Sequence, residues 1–150
     1  MKNNLIIYLF MALLLFVGKD IFAQTPDHSQ PDGAILKYTM DNCINTFSVD
    51  KAEKTNSGYL FWFVDKNFLD GRTIKLSVVR PNEATHAPHK HAEDEFFFVL
   101  EGKAEFYLNG YRKVVGPMTS LYCPSNVEHG IRNAGDTELK YLVIKKYIMK

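Results

Sequence analysis

Cysteine and tryptophan are scarce in this 150-residue chain, with two and one respectively. Neither Cys43 nor Cys123 has a CxxC partner, which removes the usual thiolate metal site and the dithiol redox motif. A bridge between the two and a pair of separately packed thiols both stay open at this point. No apolar run reaches the roughly 18 residues expected of a membrane span, because the longest, residues 5–17, stops at Gly18 and Lys19. Charge of one sign is missing as well: 18 Lys and Arg stand against 17 Asp and Glu. No basic stripe interleaved with aromatics remains, so nucleic acid has no electrostatic support as a partner, and a small molecule or another protein fits better. Internal repeats are absent, and so, beyond the first residues, is any stretch of ten or more with a helical period.

The first residues read as an address. Lys2 precedes the apolar run, and the small residue Ala23 follows a short polar step at Lys19 and Asp20. That order is the layout of a secretory signal. Residues 1–23 are expected to be a signal peptide cleaved after Ala23, leaving Gln24 as the start of an exported protein, periplasmic or secreted, with no stable membrane anchor. Residues 24–34 hold Pro26, Asp27, Pro31, Asp32 and Gly33, turn formers without apolar periodicity, and are expected to be a flexible leader. Residues 35–150 are left for one folded domain, long enough for a real core and too short for two.

Within that domain, runs rich in β-branched and aromatic residues recur at 35–40, 59–64, 73–80, 95–100, 104–108, 119–123 and 139–147. Turn signals separate them, among them Asn109-Gly110, Gly116-Pro117 and Gly135-Asp136. Residues 41–54 have room for one short helix. The pattern predicts an all-β domain, a sandwich or a small closed barrel.

Three of the five histidines fall at His86, His89 and His91, next to the acidic run Glu93, Asp94, Glu95. Residues two apart on a strand share a face, so His89 and His91 present their imidazoles to one side, and Glu95 shares their parity. Neutral imidazoles and an ionised carboxylate suit Zn, Mn, Fe, Ni or Cu. His129, just after the turn at Pro124-Ser125-Asn126, is the remaining histidine outside the leader and supplies the fourth group. His86 has the other parity, beyond Pro88, and is expected at the mouth of a pocket. Glu93 and Asp94 are expected in a solvated turn.

The spacing His89-x-His91-x3-Glu95-x6-Gly102, followed by Pro124-x4-His129-x3-Asn133, resembles the two motifs of the cupin superfamily, and the resemblance covers residues 80–145. It implies a jelly-roll β-barrel (a double-stranded β-helix) with one divalent transition metal held by His89, His91, Glu95 and His129. Glycines usual in the motifs are replaced by Glu83, Met118 and Asn126. Asn82 and Asn126 are expected to make the turns instead, since asparagine tolerates positive φ.

Three histidines and one glutamate leave coordination positions for water, substrate or dioxygen. The leading expectation is a metalloenzyme using the metal as a Lewis acid on a small sugar-acid-like substrate, of isomerase or lyase type. A metal-dependent dioxygenase is the alternative with iron, and a non-catalytic carbohydrate- or metal-binding module is the alternative outside enzymes. A germin-like manganese oxidase fits less well, because germin-type cysteines lie close together near the mature start. Tyr107, Tyr122, Arg80 and Trp62 are candidate pocket groups, with packing the favoured reading of each; Tyr107, Tyr122 and Glu83 are candidate acid/base groups; and Asn133 is either a hydrogen-bond partner behind the metal ligands or a turn residue. Phe97 and Val99 are expected inside and Phe96, Phe98 and Leu100 outside. That apolar outer face, with Tyr59, Phe61, Trp62 and Phe63, predicts a homodimer.

Overall fold

A computed structural model describes residues 38–149, so the expected signal (1–23) and leader (24–34) lie outside the described residues. Thr39 and Asn42 exchange side-chain and backbone hydrogen bonds in a capping box that starts a single helical turn, α1 (Met40–Cys43). The strand expected over 35–40 is therefore not formed in its described part, since the cap commits Met40 to the helix. A 3-10 turn follows at Val49–Lys51.

The strands are β1 (Glu53–Thr55), β2 (Gly58–Leu69), β3 (Arg72–Val79), β4 (Glu95–Glu101), β5 (Ala104–Leu108), β6 (Tyr111–Val115), β7 (Thr119–Cys123), β8 (His129–Asn133) and β9 (Leu139–Lys146). They form a six-stranded sheet in the order β1-β2-β3-β9-β4-β7 and a three-stranded sheet in the order β6-β5-β8. Isolated bridges at Ala84–Arg132 and His89–His129 lay the β3–β4 connection along the free edge of β8. The architecture is that of a jelly roll.

Alternation sets the two faces. Val79, Phe97, Val99, Leu121, Cys123, Leu139, Tyr141 and Val143 from the large sheet pack against Ala104 and Ile131 from the small one. Burying each such aliphatic side chain contributes about 1.5–3 kcal/mol. On the outside of the large sheet, Phe61, Leu76 and Val78 form a second cluster, and Phe47 closes on it with its ring 5.3 Å from that of Phe61. Phe96 lies on the outer face as expected, while Phe98 is half-buried.

The turns follow their residues. Asn109 and Gly110 both take positive φ, 46° and 88°, the type I′ geometry that joins β5 to β6 with the strands' own twist. Asn82 and Asn126 carry positive φ, as expected where the motifs lack their usual glycine. Met118 does the same at φ 59°, its amide fixed to the Val99 carbonyl at 2.8 Å and its side chain exposed. A left-handed non-glycine residue costs about 1–2 kcal/mol, partly offset by glycine's freer unfolded state. Met118→Gly is therefore expected to stabilise the domain by about 0.5–1 kcal/mol in urea unfolding; a loss of stability would show that the turn has no strain to release.

Candidate metal centre

The connection between β3 and β4 carries the first two histidines, and it is not the regular strand that their spacing predicts. His89 and His129 face each other as a hydrogen-bonded pair, each amide donating to the other's carbonyl at 2.9 Å. His91 is pinned one step further on, where its carbonyl accepts from the Asn126 amide at 2.8 Å. Backbone bonds from the second motif thus place the side chains of the first.

Each of the three rings is oriented through Nδ1. His89 Nδ1 lies 3.2 Å from the Ala87 carbonyl, His91 Nδ1 2.7 Å from that of Glu93, and His129 Nδ1 2.8 Å from that of Val127. A carbonyl only accepts, so Nδ1 carries the proton in each ring and Nε2 is the candidate ligand atom; at His129 that Nε2 faces a carboxylate oxygen, itself an acceptor, and a cation between the two would satisfy both. Those Nε2 sides converge. His129 Nε2 is 3.1 Å and His91 Nε2 3.6 Å from the same oxygen, Glu95 Oε1. Ring centroids of the three histidines are 4.8 to 5.4 Å apart. One ligand atom from each of His89, His91 and His129 falls within 4.8 Å of the others, and the same holds for Glu95, Cys123 and His129. His129 is the hinge of both groups and is fully buried. The donor set of three imidazoles and one buried carboxylate fits a divalent transition metal.

Three neighbours add to this picture. Lys145 is mostly buried, 9% exposed, with Nζ 3.1 Å from His91 Nε2, 3.7 Å from Glu93 and 4.0 Å from Glu95. Its ammonium faces the His91 lone pair that a metal ion would need. Glu93 is more than part of a solvated turn, because its carbonyl sets the His91 ring and its carboxylate faces Lys145. Backbone hydrogen bonds, its own amide first, hold its carboxyl below the usual range. Cys123 is buried beside Glu95 and His129, and desolvation, with the Glu95 charge adding, pushes its thiol up to about 12. Cys43 is exposed on α1, and both thiols are free.

The cluster opens into a cavity of about 190 Å³ between the sheets. His86 lines it, at the pocket as expected, and burial followed by the neighbouring His89 lowers its pKa. Tyr141 lies on the wall with its hydroxyl 3.4 Å from Thr85 Oγ1, its pKa raised by burial. Lys75 lines the wall too, its pKa lowered chiefly by desolvation.

The other candidate pocket groups do not line this cavity. Tyr107 donates to Glu128, and Tyr122 donates to Asp94 on the outer face. Arg80 pairs with Glu83 and donates to the Asn56 carbonyl, while Trp62 lies under Lys75. Alternation explains Tyr122, which neighbours the inward Cys123 and so points out. Asn133 is fully buried and holds backbone rather than a metal ligand: it donates to the Val79 and Thr137 carbonyls at 2.9 and 2.7 Å and accepts from the Gly135 amide at 2.9 Å.

A two-sheet β-fold enclosing a three-histidine, one-carboxylate cluster defines the class. Residues 75–145 match the Cupin_2 family model, a cupin domain. The chain carries a cupin domain over those residues. Its fold is shared with a predicted oxalate decarboxylase from Thermotoga maritima (TM-score 0.56, 22% identity, 60% of this chain and 80% of that one). The polyketide cyclase RemF from Streptomyces resistomycificus is similar in the same way (0.55, 24%, 64% and 72%). So is a Cupin 2 conserved barrel domain protein from Salinispora arenicola (0.58, 18%, 69% and 87%). In sequence, 62 residues are 36% identical to an uncharacterized HTH-type transcriptional regulator, YobQ, of Bacillus subtilis, and they span 26% of that protein.

Proposed function

We propose that this cupin is a metalloenzyme that binds one divalent transition metal through His89, His91, Glu95 and His129 and acts on a small sugar-acid-like substrate, in an isomerase or lyase type of reaction. The observation that carries the reading is the shared orientation of the three imidazoles. Every Nδ1 is held by a backbone carbonyl, and two Nε2 atoms reach one carboxylate oxygen at the edge of a cavity. Such second contacts fix ring and tautomer before any metal arrives. A bound divalent metal supplies Lewis acidity, polarising a carbonyl or enediolate oxygen.

The chain's own residues do the rest. His129 and Glu95, both buried, keep bulk water from one side, while the cavity gives access from the other. Lys145 carries positive charge beside the site, where an acidic substrate would meet it. Two of the proteins of like fold are named as a predicted oxalate decarboxylase and a polyketide cyclase.

The test follows hydrogen exchange in D2O by NMR, using metal-loaded and metal-stripped protein with a set of small hydroxy and keto acids. Metal-dependent loss of an α-proton signal without oxygen uptake is expected. Oxygen consumption in the iron-loaded protein would favour the dioxygenase, and binding with neither signal would make the domain a binding module.

Export and dimerisation complete the proposal. The signal-like residues 1–23 support the first, and the exposed outer-face row of Phe96, Tyr122, Ile144 and Ile74 supports the second. Native mass spectrometry of exported material is expected to give a dimer of chains beginning at Gln24; a monomer, or an uncleaved start, would contradict the corresponding part.

A further inference from the structure

A cation built into the fold already reaches the donor cluster. Lys145 on β9 pairs with Glu95 of β4 on one side and with Thr73 of β3 on the other, so the Lys145 and Glu95 side chains enter the cavity as neighbours. Lys145 Nζ lies 3.1 Å from His91 Nε2, 3.7 Å from Glu93 Oε2 and 4.0 Å from Glu95 Oε2. The ring of Tyr147 also faces it, with the centroid 4.8 Å from Nζ. An ammonium only donates, and His91 Nδ1 is committed to the Glu93 carbonyl at 2.7 Å. The contact with Lys145 therefore takes the one lone pair that this ring has.

Charge accounts for the position. Lys75 and Lys145 line the cavity with Glu95, and Glu93 stands beside Lys145, so with neutral imidazoles these groups balance. Glu95 is 6% exposed, and among the described residues Lys145 is the lysine or arginine within ion-pair distance of it. A buried carboxylate without a counter-charge is costly, and the ammonium offsets that cost in the metal-free protein. A divalent ion at the same donors would change the sum, setting two more positive charges beside the ammonium. One ring nitrogen cannot serve both. The ammonium has a second place within reach. Glu93 lies outside the proposed ligand set, and its Oε1 accepts from the Ile148 amide at 3.4 Å while Oε2 faces the lysine. A flexible four-carbon stem lets Nζ turn toward that carboxylate and the face of Tyr147.

We propose that Lys145 is a resident cation of the metal centre: its ammonium holds His91 and Glu95 in the metal-free protein and withdraws to Glu93 and Tyr147 when a metal ion takes His91 Nε2. This deepens the metalloenzyme reading and rests on its ligand set. Lys145 thereby sets how tightly metal is held, because the apparent affinity falls with the fraction of molecules in which the ammonium has withdrawn.

Chelator competition with zinc, together with 15N NMR of the metal-free protein, tests the proposal. Lys145→Met is expected to bind zinc about tenfold or more tightly than the wild type. The 15N resonance of His91 Nε2 in the metal-free protein is expected to move in the same variant, as loss of a donated hydrogen bond requires; an unmoved resonance would mean that the ammonium does not hold that nitrogen, and would overturn the proposal. Glu93→Gln should weaken zinc binding several-fold in the wild type and less in Lys145→Met, since Glu93 acts through the lysine; equal effects in the two backgrounds would overturn the withdrawal to Glu93. If Lys145→Met fails to fold by circular dichroism, Lys145→Gln takes its place, and if that fails too, Glu93→Gln in the wild type decides: weaker binding sustains the proposal and unchanged or tighter binding overturns it. Zinc uptake by the wild type with equal or weaker binding by Lys145→Met would overturn the proposal and leave the metalloenzyme reading standing. Uptake by Lys145→Met alone would sustain the lysine's role and sink the metalloenzyme reading. Uptake by neither would overturn both.

Discussion

Replacing His129 with alanine is expected to strip the protein of metal while leaving the jelly roll folded. His129 belongs to both ligand groups, is fully buried, and sits 3.1 Å from Glu95. Its loss removes one of four donors and leaves the Glu95 carboxylate without its nearest imidazole. If about 10–16 kcal/mol of zinc affinity is shared over four ligands, one ligand is worth roughly 2.5–4 kcal/mol, or about 10²–10³ in affinity. The strand pairing of residue 129 uses backbone only, so the bonds with residue 89 survive the substitution. Competition against a chromogenic chelator measures the loss, and circular dichroism checks the fold. Full metal retention would mean that the second motif does not contribute to the site.

Four residues further along β8, Asn133→Ala is expected to give the opposite phenotype. Its side chain satisfies two carbonyls and one amide, joining β3, the end of β8 and the turn into β9. Alanine leaves buried backbone groups unpaired at about 1–3 kcal/mol each, so urea unfolding should show a loss of about 3 kcal/mol or more. Metal content of the protein that remains folded should be unchanged, because no bond of Asn133 reaches a ligand. A stable variant with reduced metal would instead make Asn133 a support of the site.

Strands whose sequence alternates between a buried and an open face, such as residues 95–101, were legible, and so were turns marked by Asn-Gly or Gly-Pro. Three strands escaped. β6 is Tyr-Arg-Lys-Val-Val, largely exposed, so no burial pattern marks it. β8 reads His-Gly-Ile-Arg-Asn, where one isoleucine is the sole buried apolar side chain and the other buried positions hold a candidate ligand, a glycine that lets Pro88 approach, and a structural amide. β1 is three residues long and mostly exposed. Pattern reading looks for apolar side chains, and these strands owe their place to partners remote in sequence.

The candidate ligands were legible because histidines are few and their spacing is regular, although the chain at 89–91 is bridge and bend rather than strand. Lys145 was less visible but left a signal. It follows Tyr141 and Val143 at strand parity, which puts a lysine on the inward face. Lys75, between the inward Thr73 and Ser77, carries the same mark. A charged residue at an inward parity is a site signal of its own.

The proposed metal site of three imidazoles and one carboxylate is the feature on which the function depends. Elemental analysis of the folded wild-type chain, dialysed after exposure in turn to Zn, Mn, Fe, Ni and Cu, tests it most directly. About one tightly held transition metal per chain is expected, and none in His129→Ala, as a single four-ligand site requires. A wild-type protein that folds fully and retains none of these metals would contradict it.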